Sequence, residues 1–192
     1  MYARGAFGDK SDIHLELGRS MRMKNSKILV VLAAAFLVVA LSSVAAGQDK
    51  ATAQEVIAKV REAASTLSKT GDLAPFNQKQ GPWVWKDTYI VVLDCDKKIE
   101  VAHPIKPELV GTAIRSIKDT KGNDVFPEGL CDAAKKPSGV WTEYWWPKPG
   151  EKEGSRKLTY CLSAKGTAYV VGAGVYDDKA TIAELSKLSD KK

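Results

Sequence analysis

The chain has 192 residues, an ordinary globular composition and a formal net charge of +6, a length that suits one domain or one domain plus a tail. Six Lys/Arg and three acids lie at or before Ala46, so the remainder carries only +3. Without a basic arm that residual charge excludes an electrostatic case for nucleic-acid binding, and the lack of any Cys-x-x-Cys pair removes the usual zinc and thioredoxin-like signals.

From Met21 the sequence reads as a secretory signal peptide in three parts. Arg22, Lys24 and Lys27 form a positive start, Ile28 to Leu41 is an unbroken apolar run, and Ser43-Val44-Ala45 or Val44-Ala45-Ala46 offers small residues for cleavage. The run of about 14 residues is short of the roughly 20 needed to span a bilayer, which makes an uncleaved anchor the second choice. Residues 1–20 carry scattered charges without a pattern and read as an upstream extension, with translation starting at Met21 or Met23. The expected divisions are thus 1–20, a signal peptide over 21–46 and one exported domain over 47–192, placed in a bacterial periplasm or secreted.

Export into an oxidising compartment permits a disulfide. Three cysteines allow at most one internal bridge. Cys161 lies in the strand-like run Leu158–Ala164, whereas Cys95 sits in a turn and Cys131 in a helix-like segment. The favoured pair is Cys95–Cys131, although spacing does not by itself establish connectivity. Closing that loop would add on the order of 3 kcal/mol.

Thr52 and Glu55 form a capping box ahead of Val56, Ile57, Val60, Ala64 and Leu67 at helical spacing, and Gly71 ends the run. This predicts an amphipathic helix over about 52–69, a surface through which the chain can also dimerise. A loop follows, pinned by Phe76, Trp83 and Trp85 and broken by Pro75, Gly81 and Pro82. Tyr89 to Leu93 is apolar on both parities and predicts a strand covered on both faces. After the turn at Asp94–Lys98, Ile99–Ala102 returns as a second strand. Asp94, Asp96 and Glu100 lack the glycine and spacing of a calcium loop and read as turn formers.

His103-Pro104 ends that strand. His103 is the one histidine beyond the leader, and a lone histidine does not build a histidine-rich metal site, so it is a structural residue or a pocket lining. Pro107–Gly111 predicts a short helical turn, and Asp119–Asn123 a turn. Val125–Lys135 predicts a helix packed through Phe126, Leu130 and Ala134. Gly139 to Tyr160 predicts an antiparallel hairpin around the Pro/Gly-rich turn Pro147–Gly154. It places Trp141, Tyr144, Trp145 and Trp146 on one strand, and Arg156, Lys157 and Tyr160 on the other. Aromatic walls with cationic and phenolic donors suit a small anion such as a carboxylate; the alternative leaves the tryptophans as core and the basic pair as a strand edge. Gly166 introduces a last strand, Ala168–Val175, whose Gly172 and Gly174 permit close backbone approach. Asp178 caps a terminal helix over about 178–188, with Ile182, Leu185 and Leu188 on one face.

Strands adjacent in sequence and split by helices predict an α+β fold: about five antiparallel strands, a long N-terminal helix behind them and short helices between the second and third strands. The order of elements is PAS-like. The stretch from Phe76 to Tyr176 resembles a single-Cache domain, an extracytoplasmic sensor module of bacterial chemoreceptors and kinases. The resemblance rests on Phe76-Asn77, Tyr89…Leu93-Asp94, Ala102-His103-Pro104, Pro107–Gly111 and Asp119…Gly122. It continues through Tyr144-Trp145-Trp146-Pro147, Lys157…Tyr160 and Val171–Tyr176.

The resemblance implies a binding module for a small organic carboxylate of the acetate, propionate, lactate or pyruvate class, with no cofactor and no metal. It implies Tyr89, His103, Trp141, Tyr144, Lys157 and Tyr160 as pocket residues. Lys157 would be the cation, with Arg156 its rival, because strand alternation sends the two to opposite faces. Tyr89, Tyr160 and His103 would donate hydrogen bonds, and Trp141 and Tyr144 would form walls. Since Lys192 is followed by no second membrane helix, kinase or coiled coil, the expected role is a stand-alone module that presents ligand to a membrane receptor, kinase or transporter. The competing reading is a protein-interaction domain without a ligand. An enzyme is disfavoured by the missing Gly-x-Ser-x-Gly elbow, phosphate loop and Ser or Cys beside a histidine.

Overall fold

The computed structural model describes residues 49–191; the expected leader lies outside them. Helix α1, Ala53–Thr70, begins at the anticipated capping box, with Thr52 and Glu55 each bonding the other's backbone amide. Gly71 closes it in the left-handed conformation at φ 63°, which a glycine adopts without a Cβ penalty. Its apolar stripe, Val56, Val60, Ala63 and Leu67, is fully buried.

Seven strands follow: β1 (Val84–Trp85), β2 (Thr88–Tyr89), β3 (Val91–Asp94), β4 (Ile99–Ala102), β5 (Val140–Pro147), β6 (Gly154–Ser163) and β7 (Tyr169–Tyr176). The last five form one antiparallel sheet in the order β4-β3-β7-β6-β5. Strands β1 and β2 make a small ribbon where the sequence reading expected only a loop and the first residue of a longer strand. Helix α2 is Leu130–Ala133 and α3 is Ile182–Ser189. The helix expected over Val125–Lys135 shrinks to α2 because Pro127 precedes it and Gly129 stands at φ 79°. The cap of α3 is Thr181, in a box with Glu184, rather than Asp178.

Because side chains alternate along a strand, each face of the sheet collects its own core. One face, with Ile90, Val92, Trp141, Leu158, Tyr160, Val171 and Val175, packs against α1 and Leu185 of α3. The other, with Tyr89, Val91, Leu93, Tyr144, Trp146 and Val170, lies under the segment 103–134 through Ile114, Ile117, Val125, Phe126 and Leu130. That covering segment is tied to both edges of the sheet. At β4, Glu100 accepts from the Gly111 amide at 2.8 Å and donates to the Thr112 carbonyl at 3.0 Å. At β5, Asp119 accepts from the Trp145 amide at 3.0 Å, and the Thr120 amide donates to the Trp145 carbonyl at 3.1 Å. The Cys95–Cys131 disulfide, with Cα atoms 6.0 Å apart, ties the β3–β4 turn to α2. Cys161 is free and buried.

Candidate functional site

Between the sheet and its cover lies a cavity of about 10 Å³, lined by Tyr89, Glu100, His103, Tyr144, Trp146, Lys157 and Thr159 with a mainly aliphatic remainder. That volume is room for roughly one water. The floor is set by parity: Tyr144 and Trp146 on β5, and Lys157 and Thr159 on β6, share the face opposite α1.

Lys157 is 3 % exposed, and the described residues include no ion pair to it. Its ammonium stands 4.3 Å from the Tyr89 ring centroid and 5.1 Å from that of Tyr176. Burial pulls its pKa down to about 7, opposed by Asp87 and Glu100. Tyr89 accepts a hydrogen bond from Trp146 Nε1 at 2.9 Å, and Tyr144 shares one with Thr159 Oγ1 at 2.9 Å. Burial holds both phenols well above their ordinary range, so each stays a neutral hydroxyl.

The Asn77 side chain accepts from the His103 amide at 3.1 Å, and His103 Nδ1 accepts from the Lys106 amide at 2.9 Å. The proton of the neutral ring is thereby assigned to Nε2. Burial first, then Lys157 and Lys106, pull the imidazole pKa down to about 3. His103 is a neutral donor at any ordinary pH.

Four of the expected residues, Tyr89, His103, Tyr144 and Lys157, thus come together around one cavity. Three do not. Trp141 and Tyr160 are register partners on the opposite face, with rings 5.3 Å apart, packed against the α1 side. Each lies three residues from its expected companion, Tyr144 or Lys157, and an odd step along a strand reverses the face. Arg156 is committed elsewhere. It donates from Nε and Nη2 to both Glu143 oxygens at 2.9 and 2.8 Å, and from Nη1 to the carbonyls of Asp177 and Ala180.

Sequence reasoning missed Trp146, Thr159 and Glu100. The first two lie two residues from Tyr144 and Lys157, so strict alternation would have found them. Glu100, read as a turn former, is instead 1 % exposed inside β4. Asp94 alone of the three acids organises the turn, accepting from the amides of Asp96 and Lys97. Among the described residues no group of three His, Cys, Asp or Glu is placed to hold a metal, and no helix is long and apolar enough to cross a membrane. One buried cation, neutral hydroxyl and imidazole donors, and aromatic walls suit an anion with a small apolar body.

A Cache domain family model, dCache_2, matches residues 84–181, half of the chain. The methyl-accepting chemotaxis protein McpP of Pseudomonas putida is 32 % identical over 104 residues, which is 54 % of this chain and 19 % of that protein. The sensor histidine kinase MctS of Rhizobium johnstonii is 32 % identical over 93 residues, 48 % of this chain and 20 % of that protein. The chain therefore matches about a fifth of the length of these relatives. A solved structure described as the basis for carboxylic acid recognition by a Cache chemosensory domain aligns over 89 % of this chain and 100 % of its own, at 22 % identity and a TM-score of 0.44.

Proposed function

The chain belongs to the Cache domain family, and from that premise we propose that it captures a small organic carboxylate of the acetate, propionate, lactate or pyruvate class between its sheet and the covering segment. In this reading it is an extracytoplasmic sensor module that presents the ligand state to a membrane receptor, kinase or transporter. The observation that carries the reading is Lys157, a fully buried cation with no ion pair among the described residues. A buried charge without a counter-ion costs several kcal/mol, and a bound carboxylate would offset that cost. The kinship to a chemotaxis receptor and a sensor kinase supports a signalling role. Because the cavity has room for about one water, capture in this reading needs the lining side chains or the covering segment to make space.

The tightness of the cavity favours a second reading, a protein-interaction domain whose hollow is filled by its own side chains. Thermal unfolding with each of the four acids separates the two. A ligand at about 100 times its Kd stabilises the fold by about 2.7 kcal/mol, and Lys157→Met should abolish that gain. No stabilisation by any of the acids would leave the second reading standing.

A further inference from the structure

Glu100 is the buried acid that the fold does not use. Asp94 and Asp119 accept from backbone amides of their own turns, and Asp87 accepts from the Ala51 amide at 2.8 Å through Oδ1, leaving only Oδ2 unpaired. Both carboxyl oxygens of Glu100, in contrast, are buried without a hydrogen-bond partner. Its structural bonds are made by its backbone, through Gly111 and Thr112, which leaves the side chain free to line the cavity beside Lys157. An unsatisfied buried polar group is a standing cost to the fold, one that a ligand group reaching both Glu100 and Lys157 would remove.

The charge of the filled site settles the form Glu100 takes. A carboxylate ligand would balance the Lys157 ammonium, and an ionised Glu100 would add a second, unpaired negative charge to a buried site. We infer that Glu100 is a further ligand-contacting residue, which donates a hydrogen bond as an uncharged acid to the bound carboxylate while Lys157 supplies the positive charge, so that the ligand is taken up together with protons. This rests on the small-acid reading of the cavity.

The groups around the pair leave the proton traffic to these two residues. His103 is held neutral, the Tyr89, Tyr144 and Tyr176 phenols are pushed up by burial, and the Cys161 thiol is raised to about 12. The other charges near Lys157 are the Asp87 carboxylate and the Lys106 ammonium, whose amine stands over Trp146. Burial raises Glu100 to about 8, with Lys157 opposing, and lowers Lys157 to about 7. The two titrate as one coupled pair, and the occupied site holds both protons.

The test is calorimetric titration of the purified protein with acetate, propionate, lactate and pyruvate between about pH 6 and 9, in buffers of different ionisation enthalpy. Wild type should bind without proton uptake near pH 6. Above about pH 8 its affinity should fall by roughly a hundredfold per pH unit as uptake approaches two protons. Glu100→Gln keeps a neutral donor and acceptor, so it should bind within a few-fold of wild type at low pH, with uptake limited to about one proton and a tenfold slope. Glu100→Leu should lose more than about tenfold in affinity at pH 6, the share of one hydrogen bond. If Glu100→Gln and wild type share one slope and one proton count, Glu100 is no ligand residue while the small-acid reading survives. Wild-type affinity in Glu100→Leu has the same meaning. If none of the acids binds at any pH, both readings fall together.

Discussion

Trp146 donates its indole N–H to the Tyr89 hydroxyl at 2.9 Å, a buried bond between residues 57 apart in sequence. It ties edge strand β5 to the β1–β2 ribbon between two residues that line the cavity, and the Lys157 ammonium stands over the same Tyr89 ring. One tyrosine therefore serves the packing of the site and its electrostatics.

Tyr89→Phe removes the acceptor and leaves the indole N–H buried and unpaired. The expected cost is about 1–3 kcal/mol in urea unfolding. Adding Trp146→Phe should recover part of that loss, since removing both partners is cheaper than stranding one. A double variant as unstable as the two single changes summed would show that the bond does not couple these strands.

Lys157 makes a pH-dependent contribution whose sign follows from its burial. Its pKa is about 7 in the fold against an ordinary value of 10.5, so between those values the unfolded chain binds the extra proton and stability rises with pH. Below about pH 7 the buried ammonium is a full penalty. Lys157→Met should therefore be more stable than wild type at neutral pH, with a margin that narrows as pH climbs toward about 10. Parallel thermal melts across that range measure it. A constant margin would mean that the lysine is not desolvated.

Gly174 stands where a Cβ would lie 2.5 Å from Thr159 Oγ1, 2.7 Å from the Leu158 carbonyl and 2.8 Å from Lys157 Cε. At Gly172 the nearest atom, Cys161 Sγ, is 3.1 Å away. Gly174→Ala should cost about 1–3 kcal/mol, more than Gly172→Ala, and should blunt any response to small acids by displacing Lys157. Equal stability losses in the two variants would show that the strands part freely at both positions.

Local patterns made much of this legible. The Thr52/Glu55 box and the Gly71 stop predicted α1 to within a residue at each end, because helix ends are decided by groups a few residues apart. The hairpin of β5 and β6 was equally plain, since proline and glycine between two β-prone runs admit few other paths. The helix expected over Val125–Lys135 failed for a local reason too: Pro127 and Gly129 were present in the sequence but outvoted by apolar spacing.

Trp141, Tyr160 and Arg156 mark the boundary of sequence reasoning. Alternation declares which residues of a strand share a face, yet it does not say which face meets α1 and which meets the covering segment. That choice was made when α1 docked on the side of Ile90, Leu158 and Val171, which buried Trp141 and Tyr160 there and left Lys157 for the cavity.

Legible along the chain were the five strands of the main sheet, the first helix, the disulfide pair as a favoured choice and the family resemblance, all of which depend on neighbours along the chain or on order; the β1–β2 ribbon was not. That Glu100 and Lys157, 57 residues apart, face the same hollow follows from how the sheet packs under its cover. Burial and charge pairing depend on what other segments bring near, and no spacing along the chain encodes that.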